Sequence, residues 1–427
     1  MQPGFEKVSL PLLQNWDCHT CGTCCKEYLV QLSKDEVEKI QGQGWDREKD
    51  LGGYSPFKRT GIFWKKTHLN HRPDGSCVFL DEKGLCKIHG RFGLSEKPLP
   101  CQVFPYVLIP AGDQWQVGVR FACPSAAKNL GTPVVQQEKD IRDFISHLKI
   151  RENLAVSLTD NKNKPQLLPG KPSTWETLYL FRDVLLELMS KESVSVELCL
   201  RRCLAFAREM KKMNFDLLSP IQVKELAEIL SRLVENEIPL DPYSVLKPTW
   251  IGRVLFRQAC AIYTRKDHGP NRGLVKKGRL ALFGAALSFA RGQGKVPRVN
   301  SFTTDITFDE VEQKREPLEK ETSDFLRRYY LTKIGSLQFV GATNFQMPFW
   351  EGLHSLILTF PVVAWTAFTL KEGENQLTRF QTAVSLADDH FGFNKILGTA
   401  RQRFSLGILQ FRQETHRLVA WYARGKP

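Results

Sequence analysis

The sequence lacks the features by which exported proteins, nucleotide-binding enzymes and repeat proteins are usually recognised. Residues 1–8 contain no apolar stretch of signal-peptide length, so we expect a cytoplasmic protein in a reducing compartment. No glycine-rich loop follows a predicted strand, and the Cys-x-x-x-Cys-x-x-Cys run of radical enzymes is absent. The sequence therefore offers no motif for a nucleotide or S-adenosylmethionine pocket.

Basic charge is not concentrated in any one block, although the formal net charge is +14. The 60 basic and 46 acidic residues are spread along the whole chain. We interpret the densest basic stretch, residues 265–279, as a solvated loop and a helix start. Nucleic acid is therefore not an expected partner.

Long apolar runs are almost absent, and one segment alone comes near the length that spans a membrane. Residues 352–370 are nearly all apolar and approach the ~20 residues that cross a bilayer. The segment includes His354 and Pro361, and no second run of similar length occurs. We predict a buried helix here and no membrane as partner.

Cysteine, in contrast, is abundant and unevenly placed. Eight of the 11 cysteines occur in the first 123 residues, namely Cys18, Cys21, Cys24, Cys25, Cys77, Cys86, Cys101 and Cys123. In a reducing compartment such a cluster indicates metal binding or catalysis before disulfides. We interpret the remaining three, Cys199, Cys203 and Cys260, as small core residues.

The densest part of the cluster is the run Cys18-His-Thr-Cys21-Gly-Thr-Cys24-Cys25. Two residues between cysteines let one turn of backbone direct both sulfurs to one metal, and Gly22 permits the tight loop this requires. Adjacent Cys24 and Cys25 are expected to point apart, so later cysteines must complete the site. Eight thiolates match two four-cysteine centres of zinc or iron-sulfur type, or one centre with reserve cysteines.

Other polar groups give weaker signals for a site. His19 and His89 are near enough in sequence to replace a cysteine ligand, although exposed positions are favoured for both. The Asp388-Asp-His390 run could form a small catalytic or metal site, but a helix end and turn is the simpler interpretation. Glu351 and His354 have the Glu-x-x-His spacing of helix-bundle metal sites, in a single copy.

The cysteine-rich region is punctuated by Gly and Pro, which indicates short elements and turns. The capping-box pattern at residues 33–36 predicts a short helix. Residues 77–80 and 84–88 resemble two short strands around a turn, each presenting one cysteine. Residues 103–109 and 116–121 predict a further hairpin, with Cys101 and Cys123 near its open end.

The second half of the chain has mainly helical periodicity. We predict helices at residues 196–210, 220–234, 250–263, 280–290, 323–334, 352–370, 377–387 and 404–422, after a first helix that begins with a capping box at residues 173–176. The fold class is mostly α, a small irregular Cys-rich metal-binding domain with short strands followed by an α-helical bundle. The predicted divisions are residues 1–135 for the metal-binding domain, 136–172 for a connecting segment and 173–427 for the helical domain.

The cysteine pattern resembles the YkgJ-type cysteine-cluster proteins, a family described as zinc- or iron-chelating that includes flagellin lysine-N-methylases. The resemblance covers about residues 15 to 130. It is carried by the four-cysteine run at residues 18–25, by Cys77-x-Phe-Leu, by Cys86-x-Ile and by Pro100-Cys101-x-x-Phe-Pro. Where family members usually read Arg-Pro, this chain has Arg91-Phe-Gly and reaches Lys97-Pro later.

The resemblance implies a ligand set, which is Cys18, Cys21, Cys24, Cys25, Cys77, Cys86 and Cys101, with Cys123 added by the Cys-Pro found in methylase-like members. It implies an iron-sulfur cluster (4Fe-4S) or zinc as cofactor. We predict a metal-binding protein with a redox or structural cluster. The alternatives are a protein-lysine methyltransferase-like enzyme and a structural zinc module that mediates interactions. A protein substrate or a redox partner would fit these functions, and no catalytic residue is identified.

Overall fold

The computed structural model describes residues 7–61, 65–152, 164–213, 215, 218–313, 316–370 and 375–424. Within the first 152 residues, the elements are short and joined by turns. They are β1 Lys7–Ser9, α1 Thr23–Glu27, α2 Lys34–Gly42, β2 Phe57–Thr60, β3 Lys66–Leu69, α3 Lys87–Phe92, α4 Leu99–Val103, β4 Tyr106–Ala111, β5 Gln114–Val119, α5 Pro124–Ala127 and α6 Glu138–Glu152. The predicted helix after Ser33 is confirmed as α2, with both hydrogen bonds of the capping box formed.

The predicted hairpin before Cys123 is also confirmed. Strands β4 and β5 pair antiparallel, from Tyr106 opposite Val119 to Ala111 opposite Gln114, and β1 adds to β5 in parallel. A second, separate hairpin pairs β2 with β3. The three-stranded sheet is thus the largest regular element beside the cysteines.

A predominantly helical region follows a small antiparallel pair, β6 Gln166–Leu168 and β7 Lys171–Pro172. Its helices are α7 Trp175–Ser190, α8 Val196–Met210, α9 Pro220–Glu237, α10 Trp250–Tyr263, α11 Arg279–Arg291, α12 Phe308–Gln313, α13 Lys320–Gly335, α14 Phe349–Thr369, α15 Gln376–His390, α16 Ala400–Phe411 and α17 Glu414–Ala423. The predicted fold class is confirmed. Residues 153–163 of the predicted connecting segment lie outside the described residues, and the domain limits stay a prediction.

Side-chain caps explain why several helices begin where they do. Ser195, Ser219 and Thr249 each accept a hydrogen bond from the backbone amide three residues later. The first helix of this region is capped by Thr174 and not by Ser173, the residue the capping-box pattern suggested. The cap thus lies one residue later than predicted, because Thr174 accepts the bond from Thr177.

The single long helix predicted at residues 404–422 is wrong. Two helices, α16 and α17, occupy this stretch, and Gln413 between them has a left-handed φ of 57°. A left-handed residue breaks the helical hydrogen-bond ladder, and glutamine carries no sequence signal for that conformation.

Helix α14 lies at the centre of the helical region, where it packs against α15, α17 and α10. It is the one helix among the described residues that is long and apolar enough to cross a membrane, and its apolar window is entirely buried. Trp350 and Trp365 on this helix are at most 1% exposed. The predicted buried helix is therefore confirmed.

The β4–β5 hairpin docks directly on the helical region and so fixes the position of the cysteines. The Lys333 ammonium on α13 donates to the Val119 carbonyl at 3.2 Å. Arg328, one turn earlier, donates to the Ala127 carbonyl and the Gln14 side chain, both at 2.6 Å. The Lys333 bond is buried and satisfies a backbone carbonyl of β5, and the two Arg328 bonds are partly buried.

Candidate metal centre

Five of the eight predicted ligands line one cavity of about 450 Å³. They come from four separate segments and are Cys24, Cys25, Cys77, Cys86 and Cys101. This volume lies in the range of small-molecule sites, about 300–1,000 Å³, and is far larger than one ion needs. We call it the cysteine cavity.

The loop that carries Cys18 and Cys21 rests on the turn before Cys86. Gly84 has a φ of +81°, and a Cβ added there would lie 2.3 Å from the carbonyl oxygen of Thr20. Only glycine permits this approach. Cys18 and Cys21 are both exposed and do not line the cavity, although their loop lies beside the Cys86 segment.

The two short strands predicted around Cys77 and Cys86 are not formed. Leu80 and Cys86 make one isolated bridge, and Cys86 is already the N-cap of α3. The Asp81 carboxylate accepts the Leu85 amide at 2.7 Å and so closes a tight turn. The turn replaces ladder pairing but still brings the two cysteines together.

Arg72 holds the backbone of the Cys77 segment in place. Its guanidinium donates to the carbonyls of Val78 at 2.9 Å and Leu80 at 3.0 Å. The Cys77 amide in turn donates to the Cys25 carbonyl at 2.7 Å. No motif indicated this role for Arg72, because its acceptors are backbone atoms.

The expectation that Cys24 and Cys25 point apart is wrong. Their Sγ atoms are 3.9 Å apart, and both residues line the cavity. Both belong to the short helix α1, where neighbouring side chains diverge by only about 100°. Two sulfurs bound to one tetrahedral ion at about 2.3 Å would lie about 3.8 Å apart, so the pair is spaced to share one metal.

The pKa values of three cavity thiols, those of Cys24, Cys77 and Cys101, are raised. Desolvation raises the pKa of Cys77 to about 12. Desolvation also raises the pKa of Cys101, and the like charges of Cys77, Cys86 and Cys24 raise it further. The hydrogen bond with Cys25, followed by burial, raises the pKa of Cys24. Because these thiols affect one another's pKa, their sulfurs lie close enough to interact electrostatically.

Three cations also line the cavity, and they are Lys97, Arg120 and Arg151. Lys97 lowers the pKa of both Cys24 and Cys101, against the effect of burial. A zinc ion or an oxidised 4Fe-4S unit held by four thiolates retains a charge of about −2. The cation set is therefore suited to offset a thiolate-bound centre.

The remaining candidates lie away from the cavity. Cys123 is buried in another apolar cluster, with Trp115 and Val119. His19 and His89 are exposed. His71, which sequence reasoning missed, does line the cavity; burial lowers its pKa, and its Nδ1 has no hydrogen-bond partner among the described residues.

No three His, Cys, Asp or Glu side chains of the described residues converge closely enough to form a ready-made metal site. The Sγ atoms of Cys24 and Cys25 lie 3.9 Å apart. Two more of the cavity cysteines must therefore shift their side chains towards this pair to complete four-coordination. The donor set fits zinc or iron chemically, since soft thiolates are the ligands both metals accept.

A buried ion network connects the cysteine loop to the helical region. Lys266 donates to Glu27 at 2.6 Å and to Asp389 at 3.0 Å, and Asp389 also pairs with Arg120 at 3.2 Å. These partners raise the pKa of Lys266 despite its burial and lower that of Asp389 to about 2. The interpretation of residues 265–279 as solvated is thus wrong for Lys266, which is 4% exposed.

The Asp388-Asp-His390 run is structural, as the simpler interpretation held. Asp388 accepts the Phe121 amide at 2.6 Å and pairs with Lys333 at 2.5 Å. His390 ends α15, with its Nε2 hydrogen-bonded to the Arg265 carbonyl. This run therefore connects the residues that follow β5, and the loop that carries Lys266, to α15.

The other weakly predicted candidates, Glu351 and His354, do not form a metal site among the described residues. Glu351 pairs with Arg403 at 3.0 Å and does not meet His354 at a shared metal site. The predicted core cysteines are confirmed, since all three side chains are fully buried among the helices.

Comparison with known proteins agrees with the site. Residues 17–124 match the model of the CxxCxxCC family, whose description is "Putative zinc- or iron-chelating domain". This confirms the resemblance to the cysteine-cluster family drawn from the motifs. No curated protein and no solved structure matches the chain.

Proposed function

We propose that this chain, with a CxxCxxCC domain at residues 17–124, is a thiolate-ligated metalloprotein whose centre exchanges electrons. The proposal rests on one observation. Five cysteines from four segments line a single cavity, together with three cations. Enclosed tetrahedral sites are typical of structural zinc, whereas this cavity has room beyond the sulfurs. An iron-sulfur cluster is the larger group that fits this space.

The proposed ligands are the five cavity cysteines, of which four suffice for one centre. The fifth is a reserve, or Cys18 and Cys21 replace members of the set by a movement of their exposed loop. Cys123 is left out, because it packs in a separate apolar cluster. When bound, an iron-sulfur centre would supply one-electron transfer.

The chain's own residues would support that centre in two ways. Lys97 and Arg120 line the cavity and offset the thiolate charge, which favours the ionised ligands. The Arg120 guanidinium lies 3.8 Å from the centre of the Phe393 ring and 4.8 Å from that of Tyr28. These contacts, with the ion pair to Asp389, hold a positive charge at the cavity wall.

A structural zinc centre is the second candidate, and the small core near the cysteines favours it. The apolar cluster at this site has only nine buried residues among the described part of the chain, including Val78, Phe79 and Ile88. Metal binding can replace missing core energy, because ligands that meet only in the folded state convert binding energy into folding energy. Lysine methylation stays an expectation from the family resemblance alone.

Anaerobic purification of the full chain, with absorbance and metal analysis, tests the proposal. Iron with acid-labile sulfide and a brown colour is the expected result. Stoichiometric zinc without colour would favour the structural candidate and overturn electron exchange. A protein that retains neither metal would overturn both.

Two alanine variants test the ligand set. Cys101→Ala removes a partly buried thiol and Cys123→Ala removes a buried one, beside the same hairpin. We expect the Cys101 variant to lose metal and the Cys123 variant to keep it. Equal metal loss from both would show that the cavity does not define the centre.

A further inference from the structure

A second cavity of about 450 Å³ lies in the helical region, between the end of α8 and the junction of α16 with α17. Cationic and imidazole side chains line it, namely Arg208, Lys211, Lys212, His354 and His416. None of its described lining residues is acidic. We call it the basic cavity.

Lys211 is the most informative of these residues. No carboxylate of the described part of the chain lies within 4.0 Å of its ammonium, although Glu351 acts on it from farther away. Burial lowers its pKa to about 8. Lysines just beyond a helix C-terminus are usually solvated and favourable to the helix dipole, so a partly buried lysine without a carboxylate partner calls for another explanation.

Hydrogen-bonding groups around the cavity are also unsatisfied. His354 Nδ1, Thr415 Oγ1 and His416 Nε2 are buried and have no partner among the described residues. His354 is 6% exposed, and Thr415 is fully buried. Buried polar groups without hydrogen-bond partners cost folding free energy. A bound ligand that hydrogen-bonds to them would offset this cost.

Neighbouring charges leave the cavity positive. Glu209 neutralises part of the charge, since it pairs with Arg208 and Lys212, both at 2.7 Å. Glu351 is engaged by Arg403. The charge of Lys211 is therefore left for a ligand.

We propose that the basic cavity binds a small molecule that carries a phosphate group. A phosphate monoester has a charge of about −1.5 to −2 at pH 7 and three acceptor oxygens. The cavity offers lysine, arginine and imidazole donors. These donors match the charge and the three acceptor oxygens of a phosphate better than the single charge and two oxygens of a carboxylate. Leu204, Ala205 and Phe411 form an apolar part of the wall, which would contact the esterified group.

Calorimetric titration of the full, metal-loaded chain with phenyl phosphate, inorganic phosphate and benzoate at constant ionic strength tests this proposal. We expect saturable binding of phenyl phosphate, at least tenfold tighter than binding of either other probe. No saturable binding of phenyl phosphate would overturn the proposal. Equal affinity for benzoate would overturn the phosphate assignment, and equal affinity for inorganic phosphate would overturn the role of the apolar wall.

Variants separate binding from stability. Lys211→Met should weaken phenyl phosphate binding at least tenfold, while the exposed control Lys224→Met leaves it unchanged. Thr415→Val removes an unpaired hydroxyl, so we expect weaker binding with the same or a higher melting temperature. Unchanged affinity in the Lys211 variant would overturn the proposal. Metal content is expected to stay constant in all three, which keeps this test independent of the cysteine centre.

Discussion

Lys266 donates a 2.6 Å hydrogen bond to Glu27, two positions after the adjacent cysteines, across 239 residues of sequence. Both side chains are at most 9% exposed, and Asp389 completes the charge balance. The cysteine loop is thereby joined to α15 by buried charges. Removal of Lys266 leaves Glu27 buried without an ion-pair partner, and Asp389 keeps only Arg120.

We therefore expect Lys266→Met to destabilise the whole chain. Loss of one partner of a buried ion pair typically costs about 3–5 kcal/mol, because a charge stays buried without its partner. Here Glu27 would lose its ion pair, and Asp389 would keep only Arg120. Chemical denaturation of the full chain measures this change. Lys320→Met, which removes an exposed pair with Asp324, is the control and should leave unfolding unchanged. Equal effects of both substitutions would contradict a buried network.

Metal affinity should rise with pH. Burial raises the pKa of the Cys77 thiol to about 12 and also raises that of Cys101, so metal must displace a proton from each at neutral pH. Each such thiol should make affinity rise about tenfold per pH unit below its pKa. Titration with metal in buffers of different ionisation heat measures the protons released. Metal binding without proton release would contradict protonated cavity thiols.

Stability of the metal-free protein should change with pH in the opposite direction. A thiol whose folded-state pKa is raised stabilises the fold fully below its ordinary value near 9, and this contribution is lost as pH rises towards 12. We expect the melting temperature of the metal-free chain to fall as the pH rises from about 9 towards 12. Bound metal should remove much of this dependence, since its thiolates are already ionised.

Gly84→Ala should disturb the cysteine loop through a steric clash. The added Cβ would lie 2.3 Å from the Thr20 carbonyl oxygen, and the φ of +81° adds strain. Gly44→Ala is the matched control, because its φ is +69° with no atom within 4 Å of an added Cβ. We expect weaker metal retention against a chelator for the Gly84 variant alone. If both variants lose metal equally, backbone strain and not the loop contact is responsible.

Arg72→Lys should lower metal affinity although it conserves charge. Lysine cannot reproduce the guanidinium fork that donates to the carbonyls of both Val78 and Leu80. The segment that presents Cys77 would then lose its support. Arg59→Lys on β2, an exposed position, serves as the control in the same chelator competition. Full affinity in the Arg72 variant would show that the turn at Asp81 suffices.

The sequence predicted the helical elements best where the apolar periodicity was regular. The limits of Val196–Met210 and Trp250–Tyr263 were predicted correctly, because apolar residues recur there at helical spacing. The break at Gln413 was missed, since a left-handed glutamine has no local signature. Strands were wrongly predicted at Cys77 and Cys86, where the Asp81 and Arg72 hydrogen bonds override a strand-like pattern.

The candidate site was predictable in composition but not in arrangement. Cysteine spacing identified the residues that now line the cavity, whereas the proximity of Cys24 and Cys25 depends on the helical turn they occupy. His71, Arg120 and Lys266 could not be predicted from sequence, because their roles come from contacts between distant segments. One sequence carries no direct record of such contacts.

The link from Glu27 through Lys266 to Asp389 on α15 also bears on how the protein is made. At about 5–20 residues per second, roughly tens of seconds separate the synthesis of Glu27 from that of Asp389. During this interval the nascent cysteines lack the surface on which their loop finally packs, and their thiols are open to oxidants and to competing metals. A cell that makes this chain must therefore protect or load these cysteines while the ribosome is still translating it.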